Sequence, residues 1–127
     1  MRLAAMAILI AMMTTTGCAA GPRASTPGIS RRILLGDEIR AGSAATAYDA
    51  VAILRPEWLQ RRGRTSISDR AADELVVYID GMRQGGVRSL RSIRATDVFQ
   101  MEYLDGPSAT VRFGTGHGGG AILVRIG

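Results

Sequence analysis

The chain has no lysine, one cysteine (Cys18), one histidine (His117), one tryptophan (Trp58) and two phenylalanines in 127 residues. Each scarcity excludes something. A lone cysteine cannot form an internal disulfide, which leaves a lipid anchor, a free thiol or an intermolecular bridge. One histidine without a second soft ligand is a poor basis for zinc, so neither a metal nor any cofactor is expected. The carboxylate pairs Asp37-Glu38 and Asp73-Glu74 have no histidine or nucleophile at a useful spacing, and the chain reads as non-enzymatic. No apolar run approaches the roughly twenty residues needed to cross a bilayer. Aromatics make up only 5% of the chain, so a core that uses them leaves few to line a ligand cup.

What is present begins with residues 1–17. Arg2 precedes an apolar run at 3–13, and small residues then lead to Thr16-Gly17-Cys18, the layout of a secretory signal. The segment resembles a bacterial lipoprotein signal, in which the cysteine after a small-residue box is acylated and becomes the mature N-terminus. That resemblance implies lipidation, palmitate included, at Cys18. It departs from the usual pattern in having Thr15 where leucine is common. The other reading is ordinary cleavage near Ala19-Ala20. Ala19 after the cysteine implies an outer-membrane lipoprotein facing the periplasm, with a soluble periplasmic protein as the alternative. Sixteen arginines give a net charge of +5 and a pI near 10.6. In an exported protein such charge meets anionic headgroups or acidic protein faces, so nucleic acid is not an expected partner.

Along the remaining chain, residues 19–28 are rich in Ala, Gly, Pro and Ser and read as a flexible tether. Residues 29–39 could form a short strand or a docking segment. The domain reading is 1–17 signal peptide, 18–42 anchored tether and 43–127 one folded domain. Ser43 is the expected N-cap of a helix over 44–54, with Ala47, Val51 and Leu54 on its apolar face and Tyr48 beside them. Pro56 ends it and can open a further turn presenting Trp58. Residues 61–73 read as polar loop. A strand over 75–80 ends at Asp80-Gly81, a pair that tolerates positive φ and reverses the chain. In 98–104, Val98, Gln100, Glu102 and Leu104 alternate with Phe99, Met101 and Tyr103, the pattern of a half-buried strand. Asp105-Gly106-Pro107 then opens a helical turn over 108–113, and a last strand follows over 121–126 as a possible exposed edge. The fold class expected is α+β: one main helix, a small mixed sheet and glycine-rich turns.

The segments VVYIDGMRQGG, SLRSIRATDV, MEYLDGPSATVRFGTG and GGGAILVRIG together resemble the plug domain of TonB-dependent outer-membrane receptors. The resemblance covers about fifty residues. It implies structural turns at Asp80, Gly81, Gly106, Pro107, Gly114, Gly119 and Gly120, and a plug-like globule here without a barrel, since the sequence stops at Gly127. Trp58 is expected at the helix–sheet junction.

Other patterns carry weaker chemistry. Residues 114–119 match the G-x-G-x-x-G string, and 117–120 spell an oxyanion-hole string, but a strand follows rather than a helix and no G-x-S-x-G elbow exists. Asp80, Asp97 and Asp105 are expected to cap and turn. Arg88, Arg91 and Arg94 recur at a period of three against Val87, Leu90 and Ile93, which puts a row of guanidinium groups outward. The row can bind an anionic surface, through phosphates or carboxylates, or merely keep that face soluble. The function expected is a lipid-anchored envelope module that binds a protein partner, with its oligomeric state open. The alternative is a periplasmic carrier of a siderophore or glycan, using loops at Gly85-Gly86 and 115–120. Joint burial of Phe99, Tyr103 and Phe113 would remove most of its support.

Overall fold

The computed structural model describes residues 31–60 and 74–127. The expected signal peptide, Cys18, most of the tether and the polar loop at 61–73 lie outside the described residues.

The described residues form a five-stranded mixed sheet with helices on both faces, an α+β domain. The strands are β1 (Ile33–Leu35), β2 (Val76–Ile79), β3 (Met82–Gly86), β4 (Val98–Leu104) and β5 (Ala121–Ile126), and their order across the sheet is β1-β4-β5-β2-β3. β2 and β5 run parallel, and every other neighbouring pair is antiparallel. The α-helices include α1 (Gly36–Arg40), α2 (Ala47–Leu54) and α3 (Gly106–Phe113); a 3₁₀ turn at Pro56–Trp58 follows α2, and two more at Val87–Ser92 and Ala95–Asp97 lie between β3 and β4.

One sheet face is the main core. Leu34, Val77, Val98, Met101, Tyr103, Ile122 and Val124 bury against Ile39 of α1, Ala47, Ala50 and Val51 of α2, and Leu90. Trp58 sits at this junction as expected, its ring stacked 5.6 Å from that of Tyr103 and its indole N–H donating to the Arg31 carbonyl at 3.0 Å. The indole thus buries its ring and satisfies its one polar atom. The opposite face carries Val76, Tyr78, Leu104 and Ala121, covered by Ala109 and Phe113 of α3.

Several expectations change. The folded body starts before residue 43: β1 pairs with β4, and Leu34 and Ile39 are fully buried, because this further apolar strand covers the β4 edge and adds to the core. Thr46, not Ser43, caps α2. Its hydroxyl accepts from the Asp49 N–H at 3.2 Å while Asp49 accepts from the Thr46 N–H at 3.1 Å, a reciprocal pair that Ser43 has no residue to complete. The strand pattern of β4 breaks at a bulge between Val98 and Gln100. Val98 therefore shares the core face with Met101 and Tyr103, and Phe99 is turned out to 58% exposure. Gly85-Gly86 lies in edge strand β3 rather than in a loop. β5 is no edge, since it is hydrogen-bonded on both sides by β4 and β2.

Candidate functional site

The arginine row stands where its period predicts. Val87–Ser92 is a 3₁₀ helix of three residues per turn, which lays Leu90 inward, with Ile93 buried just beyond it and Val87 packed against the same core, and leaves Arg88, Arg91 and Arg94 exposed. The segment is pinned along its length. Ser89 donates its hydroxyl to the Gly86 carbonyl and Ser92 to that of Ser89. Beyond the helix, Ala47 N–H donates to the Ile93 carbonyl at 2.9 Å and Ala95 N–H to that of Ala45 at 3.1 Å, tying the ridge to the start of α2. The guanidinium of Arg91 lies 4.5 Å from the ring centre of Tyr48, a half-buried residue of α2.

Charge pairing separates this row, together with Arg31, Arg83 and Arg125, from four other described arginines. Arg32, Arg40, Arg55 and Arg112 meet Asp105, Asp37, Glu38 and Glu102 respectively. Among the described residues, no carboxylate pairs with Arg88, Arg91 or Arg94. The ridge is a set of positioned donors with no anion of the described chain to satisfy them. The contribution of Tyr48 was not readable in the sequence, because no spacing rule links residue 48 to residue 91.

The turn residues serve the scaffold. Asp80 (φ 47°) and Gly81 (φ 84°) make the two-residue turn between β2 and β3. The Asp80 carboxylate also accepts from the Ile126 N–H at 3.2 Å. Asp105 caps α3 by accepting from the Ser108 N–H at 3.0 Å, with Gly106-Pro107 opening the helix. Hydrogen bonds from Ser108 hold its pKa below the ordinary carboxylate value; the Arg32 guanidinium adds to this and partial burial opposes it. Asp97 instead receives the Thr96 hydroxyl at 3.1 Å, a side-chain contact rather than a cap. Gly106 backs so closely onto Gly118 that a Cβ there would collide with its carbonyl oxygen. Gly114 closes α3, donating its N–H to the Thr110 carbonyl at 2.8 Å. Gly119 and Gly120 complete the turn into β5, where the Gly120 N–H donates to the His117 carbonyl at 2.9 Å.

His117 takes part in an aromatic cluster that the sequence did not announce. It is buried, with Nδ1 2.9 Å from the Gly114 carbonyl and Nε2 2.8 Å from the Tyr78 hydroxyl. The carbonyl can only accept, so Nδ1 carries a proton; in the neutral ring Nε2 then accepts from Tyr78. Phe113 stacks on Tyr78 at 4.2 Å and leans against His117 at 5.6 Å. The cluster fastens the glycine-rich turn to β2 and to the end of α3. No group of three or more His, Cys, Asp or Glu side chains able to hold a metal occurs among the described residues. None of their helices is long and apolar enough to cross a membrane.

Fold and site together define a small α+β domain with a mixed five-stranded sheet, aromatic-pinned turns and an exposed arginine ridge. No protein-family model, curated protein or solved structure matches the chain.

Proposed function

We propose that this chain is a lipid-anchored envelope protein whose folded body is a plug-like interaction module that binds a protein partner at the periplasmic face of the outer membrane. The observation that carries the reading is the placement of the glycine-bearing motifs. Asp80-Gly81 reverses β2 into β3, Asp105-Gly106-Pro107 opens α3, Gly114 ends it and Gly119-Gly120 leads into β5, so each motif of the resemblance falls at an element boundary in the order it implies. The arginine ridge gives such a module a surface with no carboxylate partner among the described residues.

The joint burial that would remove most of the carrier alternative's support is not met, since Phe99 is exposed. Tyr103 is buried on the main-core face, Phe113 is half-buried at the end of α3 on the other face, and Gly85-Gly86 is strand. Phe99 alone is exposed, on a strand end rather than in a cup. A lone aromatic with exposed Leu35 on the neighbouring strand suits protein contact better than a small ligand.

Intact-mass analysis and membrane fractionation of the native protein against Cys18→Ser, with crosslinking in cells, test the proposal. Added diacylglyceryl and acyl mass, outer-membrane location lost in the variant and a discrete crosslinked partner are expected. A soluble, unmodified species without crosslinks would overturn it.

A further inference from the structure

We propose that the ridge of Arg88, Arg91 and Arg94 is a rail for an extended acidic segment of the partner, one whose carboxylates recur at every second residue. The inference rests on reading the chain as a protein-interaction module and adds the chemistry of what it binds.

Spacing is the first argument. In a 3₁₀ helix, residues three apart eclipse one another at a rise of about 2.0 Å per residue, so Arg88 and Arg91 stand about 6 Å apart on one line. Arg94 lies beyond the helix end, where Ile93 and Arg94 are both extended. An extended peptide places alternate side chains on one side about 6.6 Å apart. Alternate carboxylates therefore fall nearly in step with Arg88 and Arg91, and Arg94 offers a further guanidinium past them. An acidic α-helix matches less well: its residues four apart also rise about 6 Å, but each step rotates them about 40° around the axis, so the third carboxylate turns away.

Preorganisation is the second. The serine hydroxyl bonds and the two backbone ties to α2 hold the ridge's backbone in place. Tyr48 covers a face of the Arg91 guanidinium and leaves its edge N–H groups for a forked bond to a carboxylate. Less side-chain freedom then remains to be lost on binding. Among the described residues, the ridge lies on the helical layer, while Arg83 and Arg125 belong to strands β3 and β5.

The test uses full-length protein extracted from its envelope in detergent and a dye-labelled, blocked peptide of alternating Glu and Thr, followed by fluorescence anisotropy at low salt. A peptide of the same composition with its Glu residues contiguous is the control. Saturable binding is expected, at least about threefold tighter for the alternating peptide and weakening as salt is raised. Each single change of Arg88→Gln, Arg91→Gln or Arg94→Gln should weaken it about two- to fivefold, as for exposed ion pairs. The triple variant should abolish it with an unchanged circular-dichroism melt. If the triple variant does not fold, the single variants carry the test. Equal affinity for both peptides, no binding, binding that survives the substitutions, or ridge-dependent sedimentation with phosphatidylglycerol vesicles instead of peptide binding would each overturn the proposal. Those failures leave Cys18 acylation and crosslinking intact, so they are distinct from failure of the interaction-module reading itself.

Discussion

Asp105 works at both ends of its side chain: one oxygen accepts from the first turn of α3 and the other meets Arg32, just ahead of β1. Both contacts are stronger with the carboxylate ionised, and its pKa is lowered in the folded chain by Ser108 first and Arg32 after it. With the folded value below the unfolded one, the contribution is complete above the unfolded value and is lost as pH falls through the folded value. Substituting Asp105→Asn should therefore cost most near neutral pH, and the gap to wild type in urea unfolding should narrow from about pH 4 downward. A gap that stays constant with pH would show that the charge plays no part. His117 and Tyr78 make a second residue-scale case. Replacing Tyr78→Phe keeps the stack on Phe113 but leaves Nε2 of His117 buried without its donor, at an expected cost of about 1–3 kcal/mol. The change measured in a His117→Phe background should be clearly smaller. Equal costs in both backgrounds would mean that the hydrogen bond contributes nothing.

β4 is the element that best separates what pattern can reveal from what it cannot. Its apolar alternation was legible, and so was its end at Asp105-Gly106-Pro107, because these residues carry their backbone preferences with them. The bulge at Val98 to Gln100 was not, since an extra residue leaves no mark in the alternation and shows only against a partner strand. Stability tests the corrected register: Phe99→Ser should change unfolding free energy by less than about 0.5 kcal/mol, as an exposed site does, whereas Met101→Ala should cost about 2–5 kcal/mol. Similar costs at the two positions would restore the unbulged register. β3 was missed for a related reason, as Met-Arg-Gln-Gly-Gly has neither alternation nor β-branched residues and is a strand only because β2 pairs with it. The arginine ridge was readable from a period of three within one segment; its support from Tyr48 needed the fold. At the entry to α3, Gly106→Ala should cost about 1–3 kcal/mol, because the added methyl would push the turn at Gly118 away from the helix start. Full retention of stability on chemical denaturation would contradict that close approach.

Strand order belongs to the whole molecule, and it decides which surfaces a partner can use. The last strand reads in sequence as a possible exposed edge, yet β5 is bonded on both sides, and among the described residues the outer strands are β1 and β3. β1 has three residues, and β3 carries a register shift and a glycine at φ 112°, so neither offers a long, flat ladder to a second chain. Binding through the helical layer, where the arginine ridge lies, is therefore easier to reconcile with this sheet than strand addition. Hydrogen exchange tests the arrangement. Amides of β5 such as Ile122 and Val124, flanked by two strands and buried, should exchange only through global opening, at rates that follow denaturant-measured stability. Amides of β3 should exchange much faster, since one neighbour and an exposed surface protect them less. If β5 exchanged as readily as β3, the last strand would be an edge after all, and the argument that directs a partner away from the sheet would fall with it.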